Sequence, residues 1–209
     1  MIFESCDIAR LRLLVKDRIS EKRYQHTLGV EKLAEYLGTV ILPNKLDELA
    51  VAALLHDVAK EMSYDDHVQL LRDSNVSYTD EDLTVKPALH AIAAVPLIQR
   101  DFSEYATSDV CSAVKNHTVG EPGMSIFDEI IFISDYAEEG RSYRTCIEVR
   151  EYLISNVKQE NTFEENVRHL HEACLTSINS TVESLTNRKE RINTKTLLTK
   201  KYILNKIRK

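Results

Sequence analysis

An all-helical fold is predicted by three observations. Glycine and proline are scarce, at five and four in 209 residues. No stretch alternates apolar and polar residues with the period of two that marks a half-buried strand. Apolar residues recur instead at three- and four-residue steps along most of the chain. A chain of this length buries roughly 70% of its unfolded surface on folding, so one domain, or a domain with an appendage, needs no accessory staple.

Each helix follows from a start signal, a stripe and a stop. In residues 7–19, Ile8, Leu11, Leu14 and Val15 or Ile19 fall at helical spacing. Ser20 caps a second helix over 21–37, where His26 is in register with Val30, Leu33, Ala34 and Leu37, and Gly29 permits a close approach. Gly38 and Pro43 are expected to end it before a central helix over 44–60 or 61. Leu46, Leu49, Ala50, Val51, Ala52, Ala53, Leu54 and Leu55 leave that helix almost no polar face, so others should wrap it. Ser63 with Asp66 resembles a capping box for a short helix through Leu71, and 73–86 reads as polar loop.

Pro87 suits the first turn of a helix in which His90 shares a face with Ala93, Ala94 and Leu97; Pro96 is expected to kink or interrupt it. Thr107 or Ser108 caps a helix stacking Val110, Val114 and His117, ended by Gly120, Pro122 and Gly123. Ser125 with Asp128 opens another, with Phe127, Ile131 and Asp135 on one stripe and Gly140 as the stop. Thr145 with Glu148, and Thr162 with Glu165, read as capping boxes of two more, the second reaching about Leu185. From Thr194, leucines and isoleucines among lysines predict a basic amphipathic helix.

Composition excludes several classes. Cys6, Cys111, Cys146 and Cys174 lie far apart with no C-x-x-C pair, so neither a disulfide framework nor a thiolate zinc site is suggested, and a reducing, cytoplasmic setting is expected. Residues 1–10 lack a basic region followed by an apolar core, and no run approaches the ~20 apolar residues of a membrane span. From Arg188 onward there are nine basic residues against the single acid Glu190, whereas residues 1–187 carry 18 basic and 32 acidic ones. A tail of this charge can attract RNA, another polyanion or acidic lipid; more often such a run is a solvated helix face or pairs with an acidic body.

Five titratable residues from five expected helices point where hydrophobic side chains belong: His26, Asp57, His90, His117 and Asp135, with His56 beside Asp57. An unsatisfied buried polar group costs about 1–3 kcal/mol, and five of them would consume a domain's stability of about 5–15 kcal/mol unless they satisfy one another. Convergence on metal resolves the conflict. Steps of 30, 33, 27 and 18 residues separate successive candidates, about one helix-loop-helix each, which a bundle can gather. His67 and His171 also fall near apolar neighbours and are read as packed, and His169 as exposed, so an inward histidine is not by itself a ligand.

The order His26, His56-Asp57, His90, His117, Asp135 resembles the HD-domain metal phosphohydrolases, an all-helical superfamily built as a bundle around a buried metal site. Arg23-Tyr24-Gln25-His26-Thr27-Leu28-Gly29-Val30, Ala53-Leu54-Leu55-His56-Asp57-Val58-Ala59-Lys60, His117-Thr118-Val119-Gly120 and Ile130-Ile131-Phe132-Ile133-Ser134-Asp135-Tyr136-Ala137-Glu138-Glu139-Gly140-Arg141 are similar to the bacterial YqeK-type symmetrical bis(5'-nucleosyl)-tetraphosphatases. The likeness is best over about 17–149, within a domain expected at 1–187 and followed by the basic helical tail 188–209. Two departures concern the pocket: Ala91 stands where the family usually has glycine, and Ser142-Tyr143-Arg144-Thr145 where it tends to have Asp-Phe-Pro-Gly.

The resemblance implies two ions, with Asp57 bridging, His26, His56 and Asp135 on one and His90 and His117 on the other. It favours iron; the donor types also suit Mn, Zn, Ni or Co. Two such ions bind a water as hydroxide and polarise a phosphoryl oxygen, which fits cleavage of diadenosine tetraphosphate at its central anhydride into two ADP. Asp57 and Lys60 are the expected catalytic residues, and Arg23, Lys60, Thr118 and Arg141 the substrate contacts; a nucleotide substrate and a homodimer are the expected partners, with RNA or another anion on the tail. The alternatives are an HD phosphohydrolase acting on another nucleotide, and a non-catalytic regulatory or RNA-associated module.

Overall fold

The structure, a computed structural model, describes residues 5–208; residues 1–4, part of the stretch read for a leader, and residue 209 lie outside the described residues. Among the described residues there are eleven α-helices, two short 3-10 turns and no strand. No helix among them is long and apolar enough to cross a membrane.

Helix α1 (Ser5–Lys16) leads into α2 (Glu21–Ile41), where the Arg23 backbone N–H donates to Ser20 Oγ at 3.3 Å. Gly38 does not end α2. A Cβ at position 38 would stand 2.5 Å from Leu49 Cδ1, so the bare glycine lets α2 lie directly against α3 (Leu46–Leu55), and that packing outweighs the helix-propensity cost of about 1 kcal/mol. Helix α3 has six fully buried apolar residues, Leu49 and 51–55, as its sequence demands. It stops before the His-Asp pair, however, instead of running to Lys60 or Glu61. Residues beyond Leu55 tighten into i→i+3 bonds, with the Val58 N–H reaching Leu55 O at 3.2 Å and the Lys60 N–H reaching Asp57 O at 2.9 Å. His67, on α4 (Tyr64–Arg72), ties this turn down through Nε2 to Ala59 O at 2.7 Å. Ser63 caps α4, taking the Asp66 N–H at 3.1 Å; its hydroxyl, rather than its backbone, meets the Asp66 carboxylate.

Residues 73–86 are not all loop. Helix α5 (Asp80–Thr84) starts at a full capping box between Thr79 and Asp82, and buried Asp82 also meets Lys195 at 3.2 Å. Burial pushes the Asp82 carboxyl up, but the Thr79 hydrogen bonds and the Lys195 charge hold it below the usual range. Its contribution is therefore complete above its unfolded pKa of about 4 and is lost as pH falls through the depressed folded value. Asp82→Ala is expected to cost about 2 kcal/mol at pH 7, and the gap from wild type should shrink at pH 3. Urea unfolding at the two pH values measures it; a gap that does not shrink would remove the charge from the account.

Helix α6 (Lys86–Asp101) is not interrupted at Pro96, because Leu89, Ile92, Ala93, Ala94, Leu97 and Ile98 bury its face on both sides of the ring. Thr107 caps α7 (Ser108–Asn116), and a complete box at Ser125 and Asp128 starts α8 (Ile126–Ala137). Gly140 is not the stop of α8, which ends when the Glu138 N–H bonds Ser134 O at 3.0 Å. Thr145 is not a cap either: α9 (Arg144–Asn156) begins one residue earlier, and Thr145 Oγ1 accepts from Tyr136 and Ser180 instead. Helix α10 (Phe163–Asn187) starts at the expected Thr162 box.

Helix α11 (Thr194–Ile207) carries the basic tail onto the acidic body. Ile203 is fully buried, Lys206 meets buried Glu129 at 3.1 Å, and Thr196 Oγ1 donates to Val119 O at 3.0 Å. Gly120, at φ +73°, leaves room for Thr199, whose Cγ2 a Cβ there would meet at 2.8 Å. In the centre, α2 packs on α3 and α8, and α7 on α3, α6 and α8, so the helices with polar residues on apolar stripes share one interior.

Candidate metal centre

All six residues expected as ligands meet at the end of α3. His26 comes from α2, His56 and Asp57 from the turn after α3, His90 from α6, His117 from the end of α7 and Asp135 from α8. The Asp57 carboxylate stands between two histidine pairs. Its Oδ1 lies 3.0 Å from His90 Nε2 and 3.5 Å from His117 Nε2, while Oδ2 lies 3.5 Å from His56 Nε2 and 3.7 Å from His26 Nε2. Asp135 Oδ1 is 3.0 Å from His26 Nε2 and 3.9 Å from His56 Nε2.

The tautomers suit a cation. His56 Nδ1 donates to Ala53 O at 2.6 Å and His117 Nδ1 to Val114 O at 2.7 Å, one turn back on their own helices, which leaves each Nε2 lone pair facing inward. His26 Nε2 and His56 Nε2 are 3.3 Å apart, and His90 Nε2 and His117 Nε2 3.1 Å. One nitrogen of each pair has its lone pair fixed inward by its own backbone bond, and a shared cation suits nitrogens that close. Asp57 Oδ1 is buried without a hydrogen-bond partner, a cost that a metal removes. Burial lowers the His56 and His90 imidazoles, His90 to about 3, so both are neutral, the form that ligates. Burial alone would raise Asp57, but His56, His117 and His90 hold its carboxyl well below the usual range; Asp135 is likewise held down by His26 and Arg141 against its burial. Four imidazoles, two carboxylates and no thiolate fit divalent first-row ions.

Glu138 is the functional candidate that sequence reasoning missed. Its Oε1 takes the Nδ1 side of His26 at 3.1 Å, and its Oε2 accepts the Gly140 N–H at 2.5 Å. Burial pushes its carboxyl up, but His26 and the Gly140 N–H bring it below its ordinary value. Its signal was the i, i+3 spacing from Asp135, which places both carboxylates at one end of α8, together with Gly29 on α2. A Cβ at position 29 would lie 2.4 Å from Glu138 Oε2, so only glycine leaves room for this carboxylate behind the imidazole.

Four cations and hydroxyls expected to meet substrate also border the cluster. Lys60 Nζ is 3.6 Å from Asp57 Oδ1 and 3.1 Å from His90 Nε2, reaching in from the turn rather than from a continued helix. Thr118 Oγ1 is 3.0 Å from His117 Nε2. Arg23 Nη1 donates to Asp57 Oδ2 at 2.7 Å and Arg141 Nη2 to Asp135 Oδ1 at 2.5 Å. Of the remaining histidines, His67 and His171 are packed away from the cluster, His171 beside Glu129 at 3.1 Å, and His169 is half-buried against Tyr152.

Residues 23–140 match the family model of the HD domain, a span that holds all six of these residues and more than half of the chain. The chain belongs to the HD domain family. Among HD relatives, the symmetrical bis(5'-nucleosyl)-tetraphosphatase of Bacillus subtilis is 32% identical over 151 residues, covering 69% of this chain and 76% of that protein. The enzyme of the same name from Staphylococcus aureus is 27% identical, over 86% of this chain and 93% of its own length. The crystal structure of a Clostridium acetobutylicum protein, described as a predicted HD superfamily hydrolase involved in NAD metabolism, superposes with a TM-score of 0.80 at 26% identity and covers all of both chains. HD domain hydrolases bind divalent metals, and the His and Asp cluster of this chain is of that kind.

Proposed function

We propose that this chain is a metal-dependent hydrolase that cleaves dinucleoside tetraphosphates at the central anhydride, giving two nucleoside diphosphates, ADP in the case of diadenosine tetraphosphate. The reading is carried by the Asp57 carboxylate, one oxygen toward His26 and His56 and the other toward His90 and His117, in a relative of enzymes with that named activity. His26, His56 and Asp135 would hold one ion and His90 and His117 a second, with Asp57 available to both; the likeness to the tetraphosphatases favours iron, and the donor set also suits Mn, Zn, Ni or Co. When bound, the ions supply Lewis acidity toward a phosphoryl oxygen and toward the attacking water.

The chain's own groups bind and orient the polyanion. Water forms a new P–O bond as the bridging P–O–P bond breaks, and charge grows on the departing phosphate. Lys60, part-exposed at the edge of the cluster, neutralises that charge. Arg23 holds Asp57 through Nη1 and lines the cavity beside His26, where its guanidinium charge attracts phosphate. Arg141 holds Asp135 with two nitrogens, Nη2 on the carboxylate and Nε on the backbone carbonyl, and lines both neighbouring cavities, and the Thr118 hydroxyl adds a donor beside His117.

Protein purified anaerobically is expected to carry two metal equivalents and to convert diadenosine tetraphosphate to ADP as sole product, analysed by ion-exchange chromatography. Appearance of AMP or ATP would move the cut off the centre and sink this reading.

A further inference from the structure

Two cavities open on either side of Arg141. One, of about 490 Å³, runs past Arg23, His26 and Gly140. The other, of about 570 Å³, starts at Asp135 and extends between the 141–146 segment and the C-terminal half of α10, ending at Arg188. Arg141 lines both, and each cavity reaches a residue of the metal cluster, His26 or Asp135. The first adjoins groups already assigned to phosphate; beyond Asp135 and Arg141, the second is built from residues that the chemistry above does not use.

The second cavity has the fittings of a nucleoside site. Tyr143 stands at its rim, 75% exposed, offering a ring face that nothing in the fold requires for packing. On its wall, Tyr136 OH and Ser180 Oγ both donate to Thr145 Oγ1, at 2.9 and 3.1 Å. Three hydroxyls thus cluster on one wall, each able to donate and to accept, a set suited to the hydroxyls of a ribose. Arg188 adds a guanidinium at the far end. Its volume lies within the range of about 300–1,000 Å³ usual for small-molecule sites. Arg188, the first residue of the basic tail, lines it as well, so that tail reaches this cavity.

We propose that this cleft receives one nucleoside of the substrate, its base stacked on Tyr143 and its ribose on the Tyr136, Thr145 and Ser180 hydroxyls, while the other nucleoside lies across Arg141 in the first cavity. The inference rests on the dinucleotide reading above. A substrate cut at its midpoint has two equal arms, and two cavities diverging from one cluster hold one arm each.

The test is calorimetric titration of ADP and of inorganic tripolyphosphate into metal-loaded wild type, Tyr143→Ala and Ser184→Trp, with turnover of diadenosine tetraphosphate measured alongside. Position 184 is exposed on the cavity wall, so an indole there fills the cleft without disturbing the core. Wild type should bind one ADP in each cavity; in both variants one of those two sites should weaken about tenfold, the loss of one stacked base, while the other site and tripolyphosphate affinity stay unchanged. Wild-type ADP affinity in both variants, or equal losses for ADP and tripolyphosphate, overturns the cleft assignment. Weakened ADP binding in an enzyme that leaves diadenosine tetraphosphate intact keeps the cleft as a nucleoside site and discards the tetraphosphatase reading instead.

Discussion

Asp57→Ala is expected to strip the protein of bound metal and reduce turnover of diadenosine tetraphosphate by on the order of 10³-fold or more. The residue is 2% exposed, and its two oxygens face separate histidine pairs at 3.0–3.7 Å, so one substitution removes a donor from both halves of the cluster at once. It also releases Arg23, which loses its 2.7 Å partner. His169→Ala is the control, because that ring lies against Tyr152, remote in function from the cluster, and should leave metal content at the wild-type level. Metal analysis after desalting, with a thermal melt to confirm folding, decides the matter. A folded Asp57→Ala protein that keeps two equivalents of metal and turns over within tenfold of wild type would refute the bridging assignment.

The second large effect is expected at Glu138. Its carboxylate holds the Nδ1 side of His26 at 3.1 Å, which turns Nε2 toward Asp135 at 3.0 Å and would leave the Nε2 lone pair to an ion when one is bound. Removing such a carboxylate behind a ligating histidine commonly costs about 10- to 100-fold in metal affinity. Glu138→Ala should show a loss of that size in chelator competition, and Glu138→Gln should recover part of it, because an amide oxygen still accepts the Nδ1–H. The imidazole ¹⁵N shifts of His26 should report a mixed tautomer in Glu138→Ala and a single one in wild type. Gly29→Val should mimic the loss from the other side, since a Cβ at position 29 would stand 2.4 Å from Glu138 Oε2. Unchanged metal affinity in both Glu138→Ala and Gly29→Val would reduce this carboxylate to a packing role.

Much of the centre was legible because helical periodicity is a local property. His26, His90, His117 and Asp135 each sit in register with apolar neighbours three and four residues away, and a polar group on such a stripe is conspicuous in the sequence alone. Capping boxes at Thr162 and Ser125 were legible for the same reason, since all their partners lie within four residues. The misreadings share the opposite cause. Gly38 carries a breaker's propensity, but Leu49 from another helix needs the space its side chain would fill. Thr145 has a cap's spacing to Glu148, but Tyr136 and Ser180 claim its hydroxyl. Pro96 carries a breaker's chemistry, but α6 runs on through it because its buried face continues past the ring.

By itself, then, the sequence determined the helical class, most helix starts and the six residues that converge, because each depends on spacing within a few residues of one segment. Only the tertiary structure decided that α3 stops ahead of His56 and turns Asp57 between two histidine pairs, that Glu138 backs His26 through the space Gly29 leaves, and that the basic tail lies on Asp82 and Glu129. These depend on pairs of groups separated by 27 to 113 residues, brought within hydrogen-bond distance by packing of the whole bundle. No local pattern encodes such distances; burial sets them, by leaving each polar group only the partners that the surrounding helices bring to it.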